Sequence, residues 1–87
     1  MSVVSTTNPA TGAKLVDYPA QTEEQLDAIL NNAVAAQKAW RHSEISTRAT
    51  ALRKLGQILR DEVEAHATLI SKEMGKPITE ARGEVLK

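Results

Sequence analysis

The chain has 87 residues, 41% of them hydrophobic but only 2% aromatic, with Tyr18 and Trp40 as its aromatics and neither Phe nor Cys. Lys plus Arg equals Asp plus Glu at 11 each, and the two signs alternate along the second half, which excludes a nucleic-acid binder driven by phosphate neutralisation and a polybasic membrane anchor. No apolar run reaches the ~18 residues of a membrane span, residues 1–4 lack the basic-then-apolar pattern of a secretory signal, and the absence of Cys removes disulfide and thiolate chemistry from these residues and fits a cytoplasmic setting.

Residues 3–7 read VVSTT, rich in β-branched side chains, and residues 14–18 read KLVDY, which alternates. Between them lies NPATG, where Pro9 suits the second position of a turn and Gly12 a positive φ at the exit. The pattern predicts a hairpin over about 3–18 with NPATG as a plain turn rather than a ligand loop. A lone hairpin is barely stable in water, so it needs a helix face or a further sheet.

Thr22 followed by Gln25 forms a capping box, and Glu23 and Glu24 favour the positive end of a helix dipole. Leu26, Ile29, Ala33, Ala36 and Trp40 then recur at helical spacing, with Ala28, Ala35 and Ala39 widening the stripe. A helix over about 23–40 follows, with alanines that admit a close neighbour and Trp40 as a core anchor at its end. Arg41–Glu44 is a connector, and Ser43 or Ser46 can cap the next helix.

The second apolar run is Ile45, Ala49, Leu52, Leu55, Leu59, Val63, Ala67, Ile70 and Met74. One straight helix of that length would reach about 43 Å, long for a globular protein. Asp61 with Glu64 reads as a second capping box, so two helices are expected, about 46–60 and 62–73. A coiled coil is the alternative, but Ala49, Gly56 and Ala67 make a poor seam and the flanking charges have no consistent pattern. Gly56 costs up to about 1 kcal/mol in a helix interior, which suggests close approach of another element there. Gly75 suits the residue after a helix, Pro77 suits the first turn of the next, and Ile78, Ala81 and Val85 mark a further helix beginning near 77–87. That stripe meets no stop signal before Lys87, so the segment reads as a cut through a helix. A core of Leu, Ile, Val and Ala buries little area per residue. At about 25 cal/mol per Å², such a domain folds on a thin surplus over chain entropy. The expectation is therefore an α/β fragment, a hairpin followed by three to four helices, whose apolar faces need another surface.

Candidate chemistry is sparse. His42 lies in a polar connector and His66 one turn from Glu62, which reads as a surface pair more than as half a metal site. Ser43, Ser46 and Ser71 have no His–acid companions in the pattern. Gly12, Gly56, Gly75 and Gly83 are isolated, so no phosphate-cradling loop is present, and Lys76 after Gly75 lacks the P-loop framework. No catalytic, cofactor-binding or metal-ligating residue is assigned within residues 1–87.

The order of the pieces nevertheless resembles the amino-terminal part of the NAD(P)-dependent aldehyde dehydrogenases. Three segments carry the likeness. They are Asn8-Pro9-Ala10-Thr11-Gly12 with Lys14-Leu15-Val16; Thr22 to Asp27 leading to Ala39-Trp40-Arg41; and Arg48, Leu52, Leu55, Ile58 and Leu59 running on to Glu73-Met74-Gly75-Lys76-Pro77 and Glu80 to Val85. The likeness covers residues 3–87, and Ala13 departs from it where the family often has Glu. The ending is most similar to the succinate-semialdehyde dehydrogenase group. The resemblance implies that residues 1–87 are the amino-terminal portion of a Rossmann-like cofactor-binding domain in a homo-oligomeric enzyme of several hundred residues. That enzyme would oxidise a small aldehyde to the acid with NAD or NADP. It would do so through a cysteine thiolate, hydride transfer and glutamate-assisted hydrolysis of the thioester, with an asparagine amide and a backbone N–H holding the oxyanion. All those groups, and the dinucleotide pocket, would lie in the remainder of the parent chain. The family sometimes holds a monovalent cation, and an acidic residue around Glu84 is the nearest candidate here, although no metal ligand is assigned. Two other readings compete: a self-contained helical interaction module, and a protein that takes an anion at Lys76.

Overall fold

A computed structural model describes residues 2–87. Its elements run β1 (Val3–Thr7), β2 (Lys14–Pro19), α1 (Glu23–Trp40), α2 (Ile45–Asp61), α3 (Val63–Met74) and α4 (Ile78–Leu86). Strands β1 and β2 pair antiparallel, with Val4 opposite Tyr18 and Thr6 opposite Val16, and a bulge between Thr6 and Thr7. The connecting turn closes on itself. Asn8 N–H donates to Ala13 O at 2.8 Å and Gly12 N–H to Asn8 O at 2.8 Å, while Asn8 Oδ1 accepts from Ala10 N–H at 2.9 Å. Gly12 takes the positive φ, 76°, that this exit requires.

The capping box at Thr22 is complete. Gln25 N–H donates to Thr22 Oγ1 at 3.1 Å, and Thr22 N–H donates to Gln25 Oε1 at 2.8 Å. Two orphan donors of α1 are thereby satisfied by the helix's own first turn. The later helices start differently from expectation. Helix α2 is entered from Glu44 without a side-chain cap. Ser43 Oγ instead donates back to Trp40 O at 2.6 Å, and Ser46 Oγ to Glu44 Oε2 at 3.5 Å. The joint between α2 and α3 falls at Glu62, again without a side-chain cap. The Asp61–Glu64 box does not form, because Asp61 accepts from Gln57 at 2.8 Å and Glu64 turns to Arg82. Gly75 ends α3 in the left-handed conformation, and Pro77 stands just before α4 at φ −55° and ψ 140°.

Packing is uneven. Helices α3 and α4 lie against each other, α2 touches both, and β1 rests on α3, whereas α1 makes no extensive contact with another described element. Ala67 on α3 and Ala81 on α4 are the buried hydrophobic residues among those described. The chain measures 47 × 37 × 14 Å with a radius of gyration of 17.4 Å, where a compact domain of this length has about 12 Å. A helix with its side chains is about 10–12 Å across, so the molecule is one layer thick. Stable domains stack two or three such layers. A single layer leaves its apolar side chains open: Leu26, Ile29, Leu30, Val34, Leu52, Leu55 and Leu69 are all exposed. Trp40, expected as a core anchor, is 44% exposed. The close neighbour expected at Gly56 is also absent, since a Cβ there would meet only the guanidinium of Arg60 at 3.4 Å. No described helix is long and apolar enough to cross a membrane.

Candidate functional site

The sequence directs attention to the Gly75–Pro77 break, where Lys76 projects between two helices. The structure places Lys76 in an open groove with Ile70, Met74, Pro77, Glu80 and Glu84. Its position follows from the local backbone. The left-handed Gly75 reverses the chain after α3, and the extended Pro77 starts α4 alongside it. Lys76 Nζ then reaches across and donates to Glu84 Oε1 at 3.2 Å, and Lys87 Nζ lies 3.6 Å from the same oxygen. The ammonium of Lys76 holds the Glu84 carboxyl below its ordinary 4.5, with Lys87 adding to the effect.

This arrangement answers two expectations. An anion entering the groove would have to displace Glu84 from Lys76 and face Glu80 as well, so one ammonium stands among two carboxylates. The groove is poorly suited to a phosphate or carboxylate ligand. A cation at Glu84 meets the opposite difficulty, because two lysines already neutralise that carboxylate. No group of three or more His, Asp or Glu side chains is set to hold a metal among the described residues.

The other candidates remain apart. His42 accepts from Arg41 Nε at 3.4 Å in the α1–α2 connector. His66 sits on α3, 3.3 Å from Glu62, as an exposed helical pair. Ser43 and Ser46 are engaged as described above, and Ser71 Oγ is shielded from water without a hydrogen-bond partner, as are Thr6 Oγ1 and Arg48 Nε. No Ser–His–acid relay is assembled among the described residues. A second open groove, along α1, is lined by Ala33, Ala36, Gln37, Ala39, Trp40 and Ser43. Its lining is mostly apolar, with Gln37 and Ser43 as the polar members, and the Ser43 hydroxyl is already donated to Trp40 O. These residues do not fit a dinucleotide's phosphates, which call for a glycine-rich turn or clustered donors.

Two ionic features escaped sequence reasoning: one joins residues 18 positions apart, and the other adds a cross-strand hydroxyl to a pair three positions apart. Arg82 on α4 forks onto Glu64 on α3, Nε to Oε1 at 2.7 Å and Nη2 to Oε2 at 3.3 Å. The guanidinium lowers the Glu64 carboxyl from its ordinary 4.5, and Glu64 raises Arg82 in return. On the hairpin, Lys14 Nζ bonds Asp17 Oδ2 at 2.6 Å and Ser5 Oγ donates to Asp17 Oδ1. Lys14 first and Ser5 second hold Asp17 below 3.8. Both are structural pairs at exposed positions, with no cleft around them.

Comparison with known proteins gives the missing context. Residues 2–87 match the profile described as the aldehyde dehydrogenase family. The chain is 42% identical over 80 residues, 92% of its length, to the NAD(P)+ succinate semialdehyde dehydrogenase Sad of Escherichia coli (strain K12). It is 40% identical over 79 residues, 91% of its length, to the NADP-dependent glyceraldehyde-3-phosphate dehydrogenase of Streptococcus equinus. It is 41% identical over 78 residues, 90% of its length, to malonate-semialdehyde dehydrogenase 2 of Geobacillus kaustophilus (strain HTA426). The matched region spans 17% of the first two relatives and 16% of the third.

Proposed function

The chain belongs to the aldehyde dehydrogenase family, and from that premise we propose that residues 1–87 are the amino-terminal scaffold of the family's cofactor-binding domain. In this reading they work inside a longer enzyme that oxidises an aldehyde to its carboxylic acid with NAD or NADP. The observation that carries the scaffold role is the one-layer fold, 14 Å thick, with the apolar stripes of α1 and α2 open to solvent. A module built to act alone would bury those stripes against itself. The relatives' lengths supply the rest of the support, since they continue well beyond the matched region.

A feature shared by the relatives' named substrates supports a substrate class. Succinate semialdehyde, malonate semialdehyde and glyceraldehyde 3-phosphate each carry an anionic group in addition to the aldehyde. We assign this protein a small anionic aldehyde, with succinate semialdehyde first among them. The thiolate that the family reaction requires must come from the rest of the parent chain, because these residues include no Cys. A cytoplasmic homo-oligomer completes the proposal.

The test compares the purified 87-residue chain with the full product of its parent gene. Nicotinamide reduction is followed with NAD and with NADP, offering succinate semialdehyde, malonate semialdehyde and a neutral aldehyde. The short chain should be inert and the parent protein active, with the anionic aldehydes preferred. Turnover by the short chain overturns the scaffold role. A parent protein inert toward every aldehyde overturns the enzymatic one.

A further inference from the structure

The two turns that flank β2 and α4 meet in the fold. A Cβ placed on Gly75 would stand 2.9 Å from Pro9 Cγ and 3.7 Å from Pro9 Cβ. The first separation is closer than non-bonded carbons tolerate, so the Pro9 ring lies directly on the Gly75 backbone. Neither side yields easily. The Pro9 ring is stiff, and its loop is closed by the bonds Asn8 N–H to Ala13 O and Gly12 N–H to Asn8 O, both 2.8 Å. On the other side, Gly75 N–H is held by Ser71 O at 2.9 Å, and its φ is 72°.

We propose that Pro9 and Gly75 form a steric latch that fixes the hairpin on the α3–α4 turn. Glycine is then required at position 75 for two separable reasons. One is the left-handed backbone, which Asn tolerates better than Ala. The other is the close approach of Pro9, which any Cβ obstructs. The latch sets the angle at which the hairpin lies against α3. It also couples a turn near the start of the chain to one more than sixty positions later.

Amide hydrogen exchange on the parent protein tests it, read at residues 3–18 and at residues 75 and 76. Gly75→Asn keeps a residue tolerant of positive φ but adds the Cβ. The latch predicts exchange at least about tenfold faster at both ends of the contact. Adding Pro9→Ala removes the ring and should bring Gly75→Asn back to the level of Pro9→Ala alone. Pro9→Ala by itself should speed exchange at residues 75 and 76 as well as in the hairpin, which serves if Gly75→Asn fails to fold. Unchanged hairpin exchange in Gly75→Asn, absence of rescue in the double variant, or a Pro9→Ala effect confined to residues 3–18 each overturn the latch. The inference rests on the scaffold reading only for the choice of the longer chain as sample. Exchange is read without substrate, so an inactive parent protein overturns the enzymatic reading and leaves the latch standing.

Discussion

Helix α1 and the α3–α4 pair are opposite kinds of structure. Helix α1 carries the strongest local signals in the chain, with a complete capping box, two acidic residues in its first turn and a lysine in its last. It nevertheless makes no extensive contact with another element among the described residues. Helix α4 has nine residues, no side-chain cap and no basic residue in its last turn. Yet it shares with α3 the buried alanines and the Glu64–Arg82 fork. Local signals determine that a helix exists, and long-range partners determine where it lies. A helix that supplies its own end caps can persist while its apolar stripe remains uncovered.

Substitutions on the two regions sharpen that contrast. The largest effect is expected at the α3–α4 contact, where Ala81 is fully buried. Ala81→Leu should cost about 1–3 kcal/mol by overpacking, read as a lower urea midpoint of the helical circular-dichroism signal. Ala36→Leu, in the open groove of α1, should stay within about 0.5 kcal/mol in the 87-residue chain. The same Ala36→Leu change in the parent protein should become costly, because the second layer would then lie against it. Equal effects at Ala36 in both chains would break the comparison.

Next in size is the cap. Thr22→Ala should cost about 1 kcal/mol and reduce helicity in α1 while leaving exchange in α3 and α4 unchanged. Gly56→Ala should stabilise α2 by somewhat under about 1 kcal/mol in the short chain, since a Cβ there meets only the flexible head of Arg60. A loss of stability instead would show that another element approaches Gly56 in solution.

Acid gives the smallest and most selective effect. Glu64 and Glu84 are held below their ordinary 4.5 by Arg82 and Lys76. Groups lowered on folding contribute stability that is fully present above about pH 4.5 and is lost as the pH falls through the lowered values. Amide exchange in α3 and α4 should therefore quicken below pH 4.5 once intrinsic rates are removed. Glu64→Gln with Glu84→Gln should abolish that pH dependence, and salt should weaken it because both pairs are exposed.

These regions also divide what was legible in the sequence. The hairpin, the four helices and the roles of Thr22, Gly12 and Gly75 are written in neighbouring residues, through alternation, period and backbone handedness. The expected caps at Ser43, Ser46 and Asp61–Glu64 failed because nearer or better partners took those side chains: Trp40 O, Glu44, Gln57 and Arg82. Three of those partners lie within four residues, so several local partners competed for one side chain and the pattern did not rank them; Arg82 alone is distant in sequence. The Glu64–Arg82 fork and the Pro9–Gly75 approach join positions that no local window contains. Trp40 was expected in a core, and its stripe was read correctly as apolar, but among the described residues α1 meets no element that covers it. The candidate site at Lys76 was legible as a position. Its neutralisation by Glu84, eight residues on, lies along one face of the turn and helix and was not anticipated.

The 14 Å thickness has a thermal consequence. The heat-capacity change of unfolding comes mainly from apolar surface that folding dehydrates. A slab with so little interior dehydrates less than a compact domain of the same length, so the short chain should melt more broadly and with an enthalpy that varies less with temperature. The missing heat capacity would be released when a second layer closes over α1 and α2, and calorimetry of that association would record it as a large negative change.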